Sequence, residues 1–197
     1  MISYGGTYPG SSNPHGVLRH NTTKRNNSNL CGALTDINDA LNLKPEYTEL
    51  YNVKSLILVR NKQYDDAILW ANKGLELKPE NEDLLLNKII ARLGKKNYKE
   101  AIHDCDSLLL INPQNIRAMN QKGIALNHLK RYDEAILLYT KLIELEPQNE
   151  QAFYNRGISN AYNKDFNAAQ KDMDRAMAID TAQLEVGYNN IGFFIKF

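Results

Sequence analysis

At 197 residues and 22.5 kDa, the chain has room for one domain but not two full ones. It is 43% hydrophobic and 24% charged, with a net charge of +1, which suits a soluble globular protein and argues against a nucleic-acid binder that works through a basic surface. The longest aliphatic runs, such as Ser55-Leu56-Ile57-Leu58-Val59, fall far short of the ~18 apolar residues of a membrane helix, and two cysteines, Cys31 and Cys105, supply neither a disulfide framework nor a structural zinc site.

Residues 1–29 are a different kind of chain from the rest. Met1 to Thr35 contains no Asp or Glu, while Arg19, Lys24 and Arg25 give it +3 and leave −2 for residues 36–197. Gly, Ser, Asn and Thr dominate without a helical or strand period, so the segment cannot bury enough apolar surface to offset its ordering entropy, and a disordered polar tail is expected. The opening MISYGGTYPG has no apolar signal core, which places the expected location in the cytoplasm.

From Leu30 onward one period organises the sequence. Pro45, Pro79, Pro113 and Pro147 are spaced by 34, and so are Ala33, Ala67, Ala101, Ala135 and Ala169. Leu30, Tyr64, Tyr98, Tyr132 and Phe166 form a third column, and Leu43, Leu77, Ile111, Leu145 and Ile179 a fourth. Residues 30–45 read as half a unit, an outer helix without an inner partner. Full units follow at about 48–79, 82–113, 116–147 and 150–181. Within 132–147 the residues Tyr132, Ala135, Ile136, Tyr139, Leu142 and Ile143 mark an amphipathic helix that Pro147 stops. Residues 114–129 carry a second apolar face. The alanine column is expected to let the two helices of a pair approach closely against Gly123, Gly157 and Ser55, with the Tyr/Phe column capping that contact. Ile89 stands where a small residue is expected, which puts the local helix spacing in question. Residues 183–197 resemble a further inner helix shifted by one residue. Their apolar ending, Ile191 to Phe197, either folds back as a cap or marks where a longer protein continues, and the sequence leans to the second.

These columns resemble the tetratricopeptide repeat family, whose unit is a 34-residue helix pair. The resemblance covers about 152 of the 197 residues, Leu30 to Thr181. It implies an all-α helical-hairpin solenoid whose inner helices line a groove for a partner peptide.

No enzyme signature and no cofactor site emerge. His103-Asp104-Cys105-Asp106 is the one cluster with a catalytic look, but neighbours one or two apart on a helix face different ways, and Cys105 falls in a packing column with Ala71, Tyr139 and Met173, so a core thiol is expected. Trp70 is expected to fold over the hole left by Ala71, an exposed interface position being the alternative. The family's chaperone-tail clamp needs Lys, Asn, Asn, Lys and Arg in a fixed frame. The best frame here, Asn52, Leu56, Asn87, Arg117 and Gln121, matches two slots of five, so such a clamp is not expected. A different pattern is an amide row: Asn87, Gln121 and Asn155 are 34 apart, and Asn190 follows 35 later. Amides carry donor and acceptor together, which suits pairing with an extended peptide backbone, and a similar asparagine ladder lines the repeat groove of O-linked N-acetylglucosamine transferases. With Asn52, Arg117 and Asn120 these residues make the candidate peptide-binding set; Asn87, Gln121 and Asn155 are expected on the inner face and outside any packing column, a row that simply faces solvent being the alternative. The expected function is a non-catalytic protein-interaction scaffold with a protein or peptide partner and no nucleic acid, membrane or small-molecule substrate. The alternatives are a substrate-recruiting fragment of a larger, glycosyltransferase-like enzyme and a co-chaperone.

Overall fold

The computed structural model describes residues 32–179, and the described residues are helical with no strand. The chain divides into two compact units, Met1–Pro45 and Glu46–Phe197. In the first, helix α1 spans 32–43, within the expected half unit. The second holds four helix pairs: α2 (Thr48–Arg60) with α3 (Tyr64–Leu77), α4 (Glu82–Gly94) with α5 (Tyr98–Ile111), α6 (Ile116–His128) with α7 (Tyr132–Leu145), and α8 (Glu150–Tyr162) with α9 (Phe166–Ile179). Each helix begins one sequence period after its counterpart, so the architecture is the all-α solenoid that the period implies.

Both junctions of a pair are built by local chemistry. Between pairs, proline sits second in a turn closed by Asn81 N–H to Lys78 O, Asn115 N–H to Asn112 O and Asn149 N–H to Glu146 O, a position its fixed φ favours. The same three asparagines then cap α4, α6 and α8: each side chain accepts a hydrogen bond from the backbone N–H three residues on, at Leu84, Ala118 and Ala152. In the first pair the position is Tyr47, and α2 starts without a side-chain cap. Within pairs, Lys62, Lys96, Lys130 and Lys164 hold φ between 60° and 67°. Each lies in a Schellman ending. Lys62 N–H reaches Val59 O and Gln63 N–H reaches Leu58 O, and the other three repeats copy both bonds. This left-handed position usually takes glycine; here lysine fills it four times.

The core is a set of matched volumes. Ala67, Ala101, Ala135 and Ala169 are buried. A Cβ on Gly123 would run into the Tyr139 ring, and one on Gly157 would meet the Met173 methyl at 2.9 Å. Where the inner helix carries the larger Ile89, the outer helix supplies only Cys105, and both belong to one buried cluster. The expected spacing defect at Ile89 is therefore absent, because large and small residues trade places across the contact. The aromatic column does something other than cap its own pair. Tyr64 packs over Gly94, Tyr98 stacks on His128 at 4.4 Å and Tyr132 on Tyr162 at 5.5 Å, so each joins its repeat to the next.

The packing order sets the surface that matters for function. Inner helices touch one another directly (α2 with α4, α4 with α6, α6 with α8), while α3, α5 and α7 each bridge their own inner helix and the following one. The inner faces thus line up side by side.

Candidate functional site

Two rows run along this inner surface. Leu56, Ile90, Ile124 and Ile158 are 34 apart and all half-buried. Three residues earlier, and so on the same helix face, lie Val53, Asn87, Gln121 and Asn155. The aliphatic row falls outside a candidate set drawn from polar residues; its spacing is the signal that could have found it.

The candidate residues do not behave alike. Asn87 is only 3% exposed. Its Nδ2 donates to Asn52 Oδ1 at 2.7 Å, Asn52 O at 3.2 Å and Ser55 Oγ at 3.0 Å. The expectation that the whole row stands outside the packing therefore fails at Asn87, which ties α4 to α2. Asn155 is half-buried and repeats the tie one step along the solenoid, donating to Asn120 Oδ1 at 2.7 Å. Asn120 in turn reaches Gln151 Oε1 at 3.5 Å. Gln121 differs because the residue 35 before it is Leu86, which offers no acceptor. Its half-buried amide makes no side-chain hydrogen bond among the described residues. Arg117 is exposed and lies 3.5 Å from Asp83. Asn190 lies outside the described residues. The structure thus brings Asn52 to Asn87 and Asn120 to Asn155 and leaves Gln121 open.

A basic column, likewise outside the candidate set, fixes the inner helices to the outer ones. Lys54, Lys88, Lys122 and Arg156 are 34 apart. Lys88 and Arg92 flank the buried Asp104, with Arg92 Nε 2.9 Å from Oδ2 as an ion pair with no hydrogen bond aligned on that oxygen. Lys122 pairs with Asp106 at 2.5 Å. Arg156 forks onto Asp172 at 2.7 and 3.0 Å, and Asn160 donates to the same carboxylate at 3.0 Å. Lys54 has its ammonium 3.1 Å over the Trp70 ring. Burial, with the Lys73 charge adding to it and Asp66 opposing, pulls the Lys54 pKa down to about 8. Trp70 is half-buried, 5.9 Å from the Tyr51 ring and with the Lys73 ammonium above it.

The Cys105 thiol is fully buried, and burial together with the Asp106 and Asp104 charges pushes its pKa up to about 12. A thiol so protonated is no nucleophile, which agrees with the packing role. Burial likewise raises the Tyr139 hydroxyl. Among the described residues no His, Cys, Asp and Glu cluster is arranged for a metal ion, and no helix is long and apolar enough to cross a membrane.

At the C-terminal ends of α2, α4 and α6 the inner surface deepens into a cavity of about 390 Å3. Ile90, Leu93 and Ile124 give its apolar lining, Tyr64 and Tyr98 its aromatic part, and Gln121, Arg60, Lys62 and His128 its polar part. The N-terminal ends of α4 and α6 border a second cavity of about 430 Å3, lined by Glu80, Glu82, Asp83 and Arg117 among others.

Against known proteins, the family model of anaphase-promoting complex (cyclosome) subunit 3 matches residues 60–142, less than half of the chain. No curated protein sequence matches it. Among solved structures the chain is similar to YrrB, a tetratricopeptide repeat protein with an unusual peptide-binding site: 24% identity, 83% of this chain and 84% of that one, TM-score 0.66. It is similar to MamA from Desulfovibrio magneticus RS-1, at 19% identity over 88% of this chain and 99% of that one, TM-score 0.72. A tetratricopeptide repeat protein from Parabacteroides merdae matches at 16% identity over 92% and 73%, TM-score 0.76. With its packing columns recurring once per helix pair and its architecture shared with these solenoids, the chain has the tetratricopeptide repeat fold.

Proposed function

We propose that the chain is a non-catalytic interaction scaffold that binds an extended protein segment across α2, α4 and α6. The observation that carries this reading is the half-buried aliphatic row with the unspent Gln121 amide beside it. Apolar side chains that stay half exposed on an otherwise well-packed surface gain stability when a partner covers them. An amide beside them supplies the hydrogen bonds that a desolvated peptide backbone needs. The YrrB resemblance supports a peptide as the ligand class. A chaperone-tail clamp is disfavoured by the same bonds that build the solenoid: Asn52 and Asn87 are bonded to each other, and Arg117 faces Asp83. The full chain is expected to capture a defined set of partners from its native lysate, and Ile124→Asp is expected to release them while the helical melting transition persists. Capture that survives in Ile124→Asp and equally in Gln121→Ala overturns this groove.

A further inference from the structure

The two ends of the inner surface differ in what their charges already touch. At the acidic end, Glu82 accepts from Asn115 at 2.6 Å and from Asn112 at 3.2 Å, and Asp83 faces Arg117. Two of the three carboxylates at that end, Glu82 and Asp83, therefore have partners within the protein. At the cavity between the C-terminal ends of α2, α4 and α6 the reverse holds. Arg60 and Lys62 have no carboxylate partner among the described residues, and no Asp or Glu lines the space. Among the described residues, five other cations that adjoin the inner helices are fastened: Lys88 and Arg92 to Asp104, Lys95 to Asp65, Lys122 to Asp106, Arg156 to Asp172.

Basic residues in a last helical turn complement the helix dipole, so their presence alone asks for no ligand. Here, however, the terminal carbonyls of Leu58 and Val59 in α2, and their counterparts in α4 and α6, already accept the Schellman bonds. Arg60 and Lys62 add to the dipole there without being tied to those carbonyls, and stay available to a ligand carboxylate. Next to them the floor is aliphatic and the open Gln121 amide stands within the same cavity, whose volume lies at the lower end of ligand pockets, roughly 300–1,000 Å3.

We infer that this cavity takes a partner segment in which an aliphatic or aromatic side chain is followed within a few residues by Asp or Glu. The side chain enters between Ile90, Leu93 and Ile124, Gln121 pairs with the segment's backbone, and the carboxylate lies against Arg60 and Lys62. This inference rests on the groove reading above and gives it a ligand chemistry.

The test is selection of a displayed random dodecapeptide library on the full-length chain, followed by synthesis of the enriched sequences. The expected pool is rich in Leu, Ile or Phe with Asp or Glu within three positions. Replacing that acid by its amide should weaken binding roughly tenfold or more, and the affinity should fall as salt is raised. The charge-reversed variant Arg60→Glu/Lys62→Glu, both sites exposed and remote from the core, should lose the acidic peptides by at least the same factor while keeping a cooperative helical melting transition, lowered only slightly by the acids at the helix end. A pool that is dominated by Lys and Arg yet still lost in Ile124→Asp overturns the acidic partner and leaves the groove standing. A pool whose binding ignores both variants, or no enrichment at all, overturns both.

Discussion

The first and last helix pairs of the solenoid hold the same position in the same register, yet they solve it with different chemistry. In α8 and α9, Arg156 forks onto Asp172, with Asn160 on the same carboxylate, and the small Gly157 makes room for Met173. In α2 and α3, Lys54 lies over the face of Trp70, Ser55 and Ala71 are both small and buried, and Asn149's capping role falls to Tyr47, which does not perform it. The geometry at the two sites is set by the repeat and by the alanine column. What each site must do is satisfy a cation that the inner helix buries against the outer one. A forked carboxylate does so by neutralisation, at the cost of two desolvated charges. An indole does so through its quadrupole, without itself supplying a negative charge. The two pairs should therefore respond to truncation, pH and backbone change in opposite or unequal ways.

Removing Asp172 should show the largest effect. Asp172→Ala leaves the Arg156 guanidinium, side chain 21% exposed, without either oxygen, and strands the Asn160 amide as well. Breaking a buried pair on one side typically costs about 3–5 kcal/mol; partial exposure of Arg156 brings the expectation to about 3 kcal/mol, measured by urea denaturation. A loss under about 1 kcal/mol would mean that water replaces the carboxylate and that the two ends of the solenoid are held equally loosely.

The first pair should instead gain stability in mild alkali. A lysine whose pKa falls from 10.5 unfolded to about 8 folded binds fewer protons when native than when unfolded between those values, so stability rises with pH through that window. The gain from pH 7 to pH 9.5 should be about 2 kcal/mol. Below pH 8 the charge is present in both states and the gain is gone. Urea titrations of wild type and Lys54→Met across this range isolate the effect, since the Met variant should lack the rise. A flat wild-type profile would show that Trp70 and its surroundings solvate the ammonium as well as water does.

The amide row sharpens the comparison between structural and open positions. Asn87→Ala removes three donor contacts and leaves Asn52 and Ser55 acceptors buried without it, for an expected loss of about 1–2 kcal/mol. Gln121→Ala, at the same helical position one repeat later, should stay within about 0.5 kcal/mol because nothing in the fold depends on it. Equal losses at both positions would show that Gln121 is bound into the solenoid.

That pair of residues also shows where the sequence is legible and where it is not. The helix boundaries, the alanine contact and the core placement of Cys105 follow from period and spacing, because a column that recurs once per repeat constrains the residues within each repeat. The fate of an amide depends on a residue one step off its own column, in the repeat before. Asn at 52 and 120 turns Asn87 and Asn155 inward, and Leu86 leaves Gln121 unpaired, a diagonal relation that columns read one at a time do not display. The aromatic column misled for the same reason, since Tyr98 and Tyr132 find their partners in the next repeat.

The smallest expected effect concerns a feature the first and last pairs share. Lys62 and Lys164 end their inner helices in the left-handed region, as Lys96 and Lys130 do in the middle repeats. A side chain there costs roughly 1–2 kcal/mol that glycine avoids. Glycine in turn carries more unfolded-state entropy, roughly 0.4–1 kcal/mol, and gives up the lysine charge beside the helix C-terminus, worth about 0.3 kcal/mol or more when exposed. The difference is a net stabilisation of about 0.5 kcal/mol for Lys96→Gly, whose side chain has no ion-pair partner among the described residues. Lys96→Val should move the other way by more than about 1 kcal/mol, because a β-branched residue fits this region worst. Thermal melts of the two variants separate backbone strain from charge: if glycine destabilises and valine is neutral, the lysine charge rather than the turn geometry governs how each inner helix ends.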